Sequence, residues 1–107
     1  MKRPILWLSL LALLCLTSLA ARAQNNGASL FQSHCALCHG ADGRGSTPAG
    51  KAFKAPDFHD STVIKMTDAE LETIIRKGKD KMPAYEDKLS SSEIKSLVVY
   101  IRTLQSK

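Results

Sequence analysis

The sequence predicts an all-α domain of three main helices joined by long loops. Two capping boxes and an apolar stripe at helical spacing near the C-terminus carry that prediction, and the run Cys35-Ala36-Leu37-Cys38-His39 shows what the helices surround. The first helix begins near Gly27 and runs into the Cys35–His39 run, with Ala28, Phe31 and Cys35 sharing one face at i, i+3 and i+7. Thr67-Asp68-Ala69-Glu70 is a capping box, Met66 before it staples onto Leu71, and the second helix carries Leu71, Ile74 and Ile75 on one face. That helix ends in Arg76 and Lys77 and stops at Gly78. Ser90-Ser91-Ser92-Glu93 repeats the arrangement, with Leu89 stapling onto Ile94. The stripe Ile94, Leu97, Val98, Ile101 and Leu104 takes this third helix to within a few residues of the C-terminus. Between Gly40 and Met66 no period is sustained, so a long loop is expected there, wrapped around something. No repeat, low-complexity tract or second domain is visible.

The N-terminus reads as a secretory leader: Lys2 and Arg3, an uncharged apolar run from Ile5 to Ala20, then Ala21-Arg22-Ala23 as an A-x-A cleavage site. The sixteen uncharged residues fall short of the roughly 20 that span a bilayer. The expected organisation is therefore a cleaved leader over residues 1–23 and one domain over residues 24–107, with no stable membrane insertion after cleavage and a periplasmic location. Cys15 lies in the leader as a passenger, because bulky Leu14 precedes it where a lipoprotein signal has a small residue. The mature chain keeps two of the three cysteines, both in the Cys35–His39 run, so no disulfide framework is left. A domain this small usually needs a staple or a cofactor beyond its own core.

Two thiols three residues apart, followed directly by an imidazole, are what covalent c-type haem attachment requires. Cys35 and Cys38 would form thioethers at the porphyrin edge while His39 ligates the iron. Two other readings compete. A thioredoxin-like dithiol needs a βαβ setting, and nothing nearby alternates like a strand. A structural zinc site takes four ligands from a pool of Cys35, Cys38, His34, His39 and His59. The haem reading is the strongest of the three, and one haem c per chain is expected.

The iron's other axial position is either open, giving gas binding or peroxide chemistry, or filled, giving electron transfer. The mature chain offers Met66, Met82, His34 and His59. Met66 has a structural task in its staple, His34 lies on the motif's own helix, and His59 in the Gly/Pro-rich loop stays open as an alternative. Met82 is favoured: Pro83 biases it to extended geometry, and it falls between a helix stop and the next capping box. The metal ligands expected are thus His39 and Met82.

Loss of Lys2, Arg3 and Arg22 takes the formal charge from +5 to +2, so bulk charge makes no case for nucleic acid. Arg76, Lys77, Lys79 and Lys81, against Asp80 alone, form a local basic patch, with Lys88 shortly after.

These pieces together resemble a bacterial class I monohaem cytochrome c of the short soluble type. The matching residues are Cys35-x-x-Cys38-His39-Gly40, Gly43-x-Gly45, Ala55-Pro56-Asp57-Phe58, Gly78-x-x-x-Met82-Pro83 and Tyr100-Ile101 in the last helix. The resemblance implies a small cytochrome c fold whose terminal helices cross, bringing Gly27, Ala28 and Phe31 near Val98, Tyr100 and Ile101. It also implies that the Pro56 carbonyl accepts the Nδ1 hydrogen of His39, counting Pro56 among the cofactor-binding residues. Relatives often place a Trp near a propionate; the only Trp here is Trp7, in the leader, which leaves Arg44 and Lys51 as candidates. The implied function is an exported, monomeric one-electron carrier and not an enzyme. Its expected partners are a terminal oxidase or reductase, a periplasmic dehydrogenase or a membrane cytochrome complex, docking near Lys77, Lys79, Lys81 and Lys88. A peroxidase or a gas sensor with a labile sixth ligand is the alternative.

Overall fold

Six helical segments follow one another in the computed structural model, which describes residues 26–107. α1 occupies residues 26–34, α2 Ala36–His39, α3 Pro48–Phe53, α4 Ser61–Ile64, α5 Asp68–Lys77 and α6 Ser91–Gln105. The leader expected over residues 1–23, with Cys15 and Trp7, lies outside the described residues. Among those described there is no strand, only an isolated antiparallel bridge between Lys79 and Met82, and no helix is long and apolar enough to cross a membrane.

The three main helices lie where the sequence puts them, and both capping boxes are formed. Thr67 Oγ1 accepts from the Glu70 amide at 3.1 Å, while Glu70 Oε2 accepts from the Thr67 amide at 2.7 Å. Ser90 and Glu93 repeat the exchange at 3.2 and 2.9 Å. Each box satisfies two amides that a helix start otherwise leaves without partners. α5 ends at Gly78, whose φ of +74° lets the chain turn away. The first helix is interrupted for one residue at Cys35 before α2 begins.

The stretch from Gly40 to Met66, expected as irregular loop, contains α3 and α4. Thr47 caps α3 by accepting from the Gly50 amide at 2.9 Å, and Pro48 stands at the first position, where its missing N–H costs nothing. α3 stops at Lys54, in the left-handed region at φ +57°.

Packing is organised on α6. Phe31, Ile94, Leu97 and Val98 are its most deeply buried side chains. The Phe31 ring lies 5.3 Å from that of Tyr100 and 6.0 Å from that of Phe58. Arg102 ties α6 to the start of α5, donating to Asp68 Oδ1 at 2.9 Å and to the Met66 carbonyl. The expected approach of the terminal helices is present, and Gly27 sets its closeness: a Cβ there would collide with the Ser96 carbonyl and lie 3.2 Å from Tyr100 Cβ.

Gly27→Ala therefore opposes two effects. Alanine gains about 1 kcal/mol of helix propensity, while overpacking costs about 1–3 kcal/mol. We expect the clash to win, lowering the thermal midpoint of the haem-loaded protein, with a larger drop for Gly27→Leu; a raised midpoint for Gly27→Ala would mean that α1 can shift off α6 freely.

Candidate haem-binding site

A cavity of about 350 Å³ lies between α2, α5, the 53–58 segment and the 79–85 loop. Seven of the eleven buried hydrophobic residues of the core, including Phe31, Leu97 and Ile101, also line it. Cys35, Cys38, His39, Pro56 and Met82 all stand on its wall. The cavity thus brings together the two thiols, the imidazole, Pro56 and Met82, though not the propionate candidates Arg44 and Lys51, in a size range ordinary for cofactor sites.

Local structure explains how the motif reaches that wall. The Cys35 amide donates to the Phe31 carbonyl at 2.8 Å, and the His39 amide to the Cys35 carbonyl at 2.9 Å, so the five residues form one turn continuing α1. Thr47 braces that turn from α3, its hydroxyl lying 2.6 Å from the Leu37 carbonyl and 3.1 Å from that of Cys38. Thr47-Pro48 was the readable signal for this brace, a cap residue before a proline.

His39 is buried at 9 % exposure, and its Nδ1 makes no hydrogen bond. Desolvation lowers its pKa, which favours the neutral imidazole that metals bind. The bond expected from Nδ1 to the Pro56 carbonyl is not formed. Phe58 packs on the ring instead, with centroids 4.7 Å apart and planes at 30°. Phe58 is a contact that the sequence reading left without a role.

Cys35 and Cys38 are free and partly buried. Burial, and secondarily the charge of Cys38, pushes the Cys35 thiol up to about 11. A redox dithiol is activated by the opposite shift, so the thioredoxin-like reading loses its support. Among the described residues no three His, Cys, Asp or Glu side chains are grouped to hold a metal ion, which leaves zinc without a ligand set.

The axial candidates separate in part. Met82, Met66 and His34 all line the cavity. His34 is exposed and packs edge-on to Tyr85, with centroids 5.9 Å apart. His59 is not on the cavity wall: its Nδ1 is 2.8 Å from Asp57 Oδ1 and its Nε2 2.9 Å from the Leu104 carbonyl. Both ring nitrogens are thus engaged with oxygen atoms of the protein. The His59 bonds, with Arg44 adding to them, hold the Asp57 carboxyl below its usual range. Gln105 Nε2 donates to the Phe58 carbonyl at 3.0 Å, so the end of α6 grips the segment that packs on His39.

The cations are distributed differently from expectation. Lys54, Lys79 and Lys81 line the cavity, whereas Arg44 and Lys51 do not. Arg44 is drawn to Asp57 at 3.6 Å and Asp42 at 3.9 Å. Lys77 pairs with Glu86 at 3.9 Å, and Lys88 sits 5.5 Å from the Tyr85 ring centroid.

Residues 22–101 match the family model described as cytochrome c oxidase, cbb3-type, subunit III. The chain belongs to this family of c-type cytochromes. The cytochrome is 35 % identical over 80 residues to the cbb3-type cytochrome c oxidase subunit FixP of Bradyrhizobium diazoefficiens, covering 73 % of this chain and 26 % of that one. It thus spans about a quarter of the length of such oxidase subunits. It is also 32 % identical over 77 residues to cytochrome c6 of Euglena gracilis, covering 72 % of this chain and 87 % of the relative. The solved c-type cytochrome KustC0563 aligns with a TM-score of 0.68 and 32 % identity over 74 % of this chain and 96 % of that structure. The cavity fits the haem that such a family carries: its wall is mostly apolar, with two thiols, a buried imidazole and a thioether.

Because His59 is engaged on α6, His59→Leu in the haem-loaded cytochrome should leave the axial-ligand spectrum unchanged. It should lower the thermal midpoint, since Asp57 and the Leu104 carbonyl lose their partner. Optical spectra and thermal melts read the two effects separately, and a changed spectrum would return His59 to the list of ligands.

Proposed function

We propose that this chain is an exported one-electron carrier, its haem attached through Cys35 and Cys38 and held axially by His39 and Met82. The observation that carries this reading is the convergence of two thiols, a buried imidazole and a thioether on one apolar cavity wall. The haem supplies a single Fe(III)/Fe(II) exchange. The protein needs no acid, base or nucleophile for this. Its residues keep water from the cavity, fix the ligands so that little rearranges when the charge changes, and present an edge to partners. A thioether opposite an imidazole raises the reduction potential relative to more strongly donating pairs, which suits a partner near a terminal oxidase. The relatives named as cbb3-type oxidase subunits support that partner class. The leader over residues 1–23 supports export and the periplasm, with residues 24–107 as the working domain.

The rival enzyme and sensor readings need an open or readily opened axial position. Peroxide chemistry also needs a general base at the cavity, and His59 is bonded to Asp57 and α6, off the cavity wall.

The test is a redox titration followed by optical spectra, on protein whose colour survives acid–acetone extraction. A colourless chain after extraction would sink covalent attachment through Cys35 and Cys38. Met82→Ala should load haem and stay folded, with a lower potential and an altered ferric spectrum. Met66 also lines the cavity, yet it precedes the Thr67 cap as half of a staple. Its alanine variant should keep the spectrum and lower the thermal midpoint, since a half-buried side chain packed against the core is truncated. Exchange of the two phenotypes would make Met66 the ligand.

Lys79 and Lys81 stand at the cavity beside the Met82 turn, and we place the docking face there. Rim charges act chiefly on encounter, and screening sets in over roughly 8–10 Å at 0.1–0.15 M salt. Lys79→Glu with Lys81→Glu should slow second-order electron transfer to the natural acceptor severalfold at low ionic strength, with the gap closing as salt rises. Equal rates for the variant and its parent at low salt would remove these lysines from the docking face.

A further inference from the structure

Tyr85 is the point at which three parts of the site meet. Its phenol donates to the His34 carbonyl at 3.0 Å, one residue before the attachment motif. Its amide donates to the carbonyls of Ile75 and Arg76 at the end of α5, at 3.0 and 3.2 Å, and its carbonyl accepts from the Lys88 and Leu89 amides. The side chain lines the cavity three residues after Met82. Met82 is itself paired with Lys79 through two backbone bonds of 3.2 and 2.9 Å. That pairing is internal to the loop, so it would travel with the loop if the loop moved. Among the described residues, the phenol–carbonyl bond is the one hydrogen bond that joins the Met82–Tyr85 segment to the segment carrying Cys35, Cys38 and His39.

We propose that Tyr85 is a positioning residue for the sixth ligand: its bond to the His34 carbonyl latches the Met82 loop to the attachment motif, and so sets how often Met82 releases the iron. This rests on the reading of Met82 as that ligand. A methionine thioether has no charge with which to hold a metal, so its residence depends on how firmly its loop is held. Removing one hydrogen bond that must break on opening should raise the open population roughly three- to tenfold. Tyr85→Phe removes only the hydroxyl and keeps the ring that packs edge-on to His34, so the change reports on the latch and not on packing.

The experiment compares CO association to the ferrous haem-loaded protein in the parent, Tyr85→Phe, Met82→Ala and the double variant, with reduction potentials and circular dichroism on each. The latch predicts unchanged helical content and CO association roughly three- to tenfold faster in Tyr85→Phe. It also predicts that the double variant binds CO at the rate of Met82→Ala, because no ligand remains to be held. A parental rate in Tyr85→Phe overturns the latch while leaving Met82 as ligand, provided Met82→Ala is fast. The same acceleration by Tyr85→Phe in both backgrounds also overturns it, since the phenol would then be controlling access to the cavity. A Tyr85→Phe chain that takes up no haem overturns it in favour of a folding role for the hydroxyl. Parental rate and spectrum in Met82→Ala instead overturn the assignment of Met82, which separates failure of that reading from failure of the latch.

Discussion

The constraint behind the whole structure is an apolar cavity at the centre of a domain of some eighty residues. Seven of the eleven buried hydrophobic residues of the core face it as well as one another. A domain of this size buries only about 60 % of the surface its unfolded chain exposes, so much of its limited apolar packing surrounds the space reserved for the cofactor. The helices must then be held by devices away from that space. The close seat of Gly27 on α6 and the Arg102 clamp between α6 and the start of α5 belong to this set. Neither Gly27 nor Arg102 itself stands on the cavity wall.

Most polar bonds that shape the site follow the same logic, tying a loop to the end or turn of a helix. Thr47 links α3 to the carbonyls of the motif turn, and His59 and Gln105 link the 57–59 segment to the end of α6. The consequence for His39 is indirect. Its ring has no hydrogen bond at Nδ1, and its orientation comes from Phe58, whose own backbone is gripped by α6. The last turn of the C-terminal helix thereby reaches the imidazole through one aromatic contact.

What the sequence revealed was what local spacing encodes. The motif, both capping boxes and the Gly78 stop depend on residues a few positions apart, whereas the approach of the terminal helices was implied by the family resemblance. The departures come from long-range partners. Nothing around His59 could announce that the carbonyl of Leu104, 45 residues later, would take its Nε2. Arg44 looked available for a propionate until the fold brought Asp57 to 3.6 Å from it. α3 was overlooked for another reason. A six-residue helix is too short for periodicity to register, and only its cap and proline announce it. Met66 and Met82 show the limit of local reasoning, because a staple residue and a loop residue both arrive at the same wall.

The charge pattern is intelligible only with the fold in hand. Counting lysines from Lys77 to Lys88 gives a basic stretch, yet its members have different fates. Lys77 faces Glu86 and Lys88 lies over the Tyr85 ring, so part of the attraction each could offer a partner is already used within the domain. Lys79 and Lys81 make no ion pair among the described residues, and Lys54 joins them at the cavity from the far end of α3. Three lysines against the single acid Asp80 make the cavity rim locally basic, whatever the formal charge of the whole chain. Net charge governs attraction from afar and is screened within about one Debye length; the local asymmetry acts inside that distance, where the orientation of an encounter is decided. The basic rim is therefore a property of where the fold gathers Lys54, Lys79 and Lys81, and not of how many lysines the stretch contains.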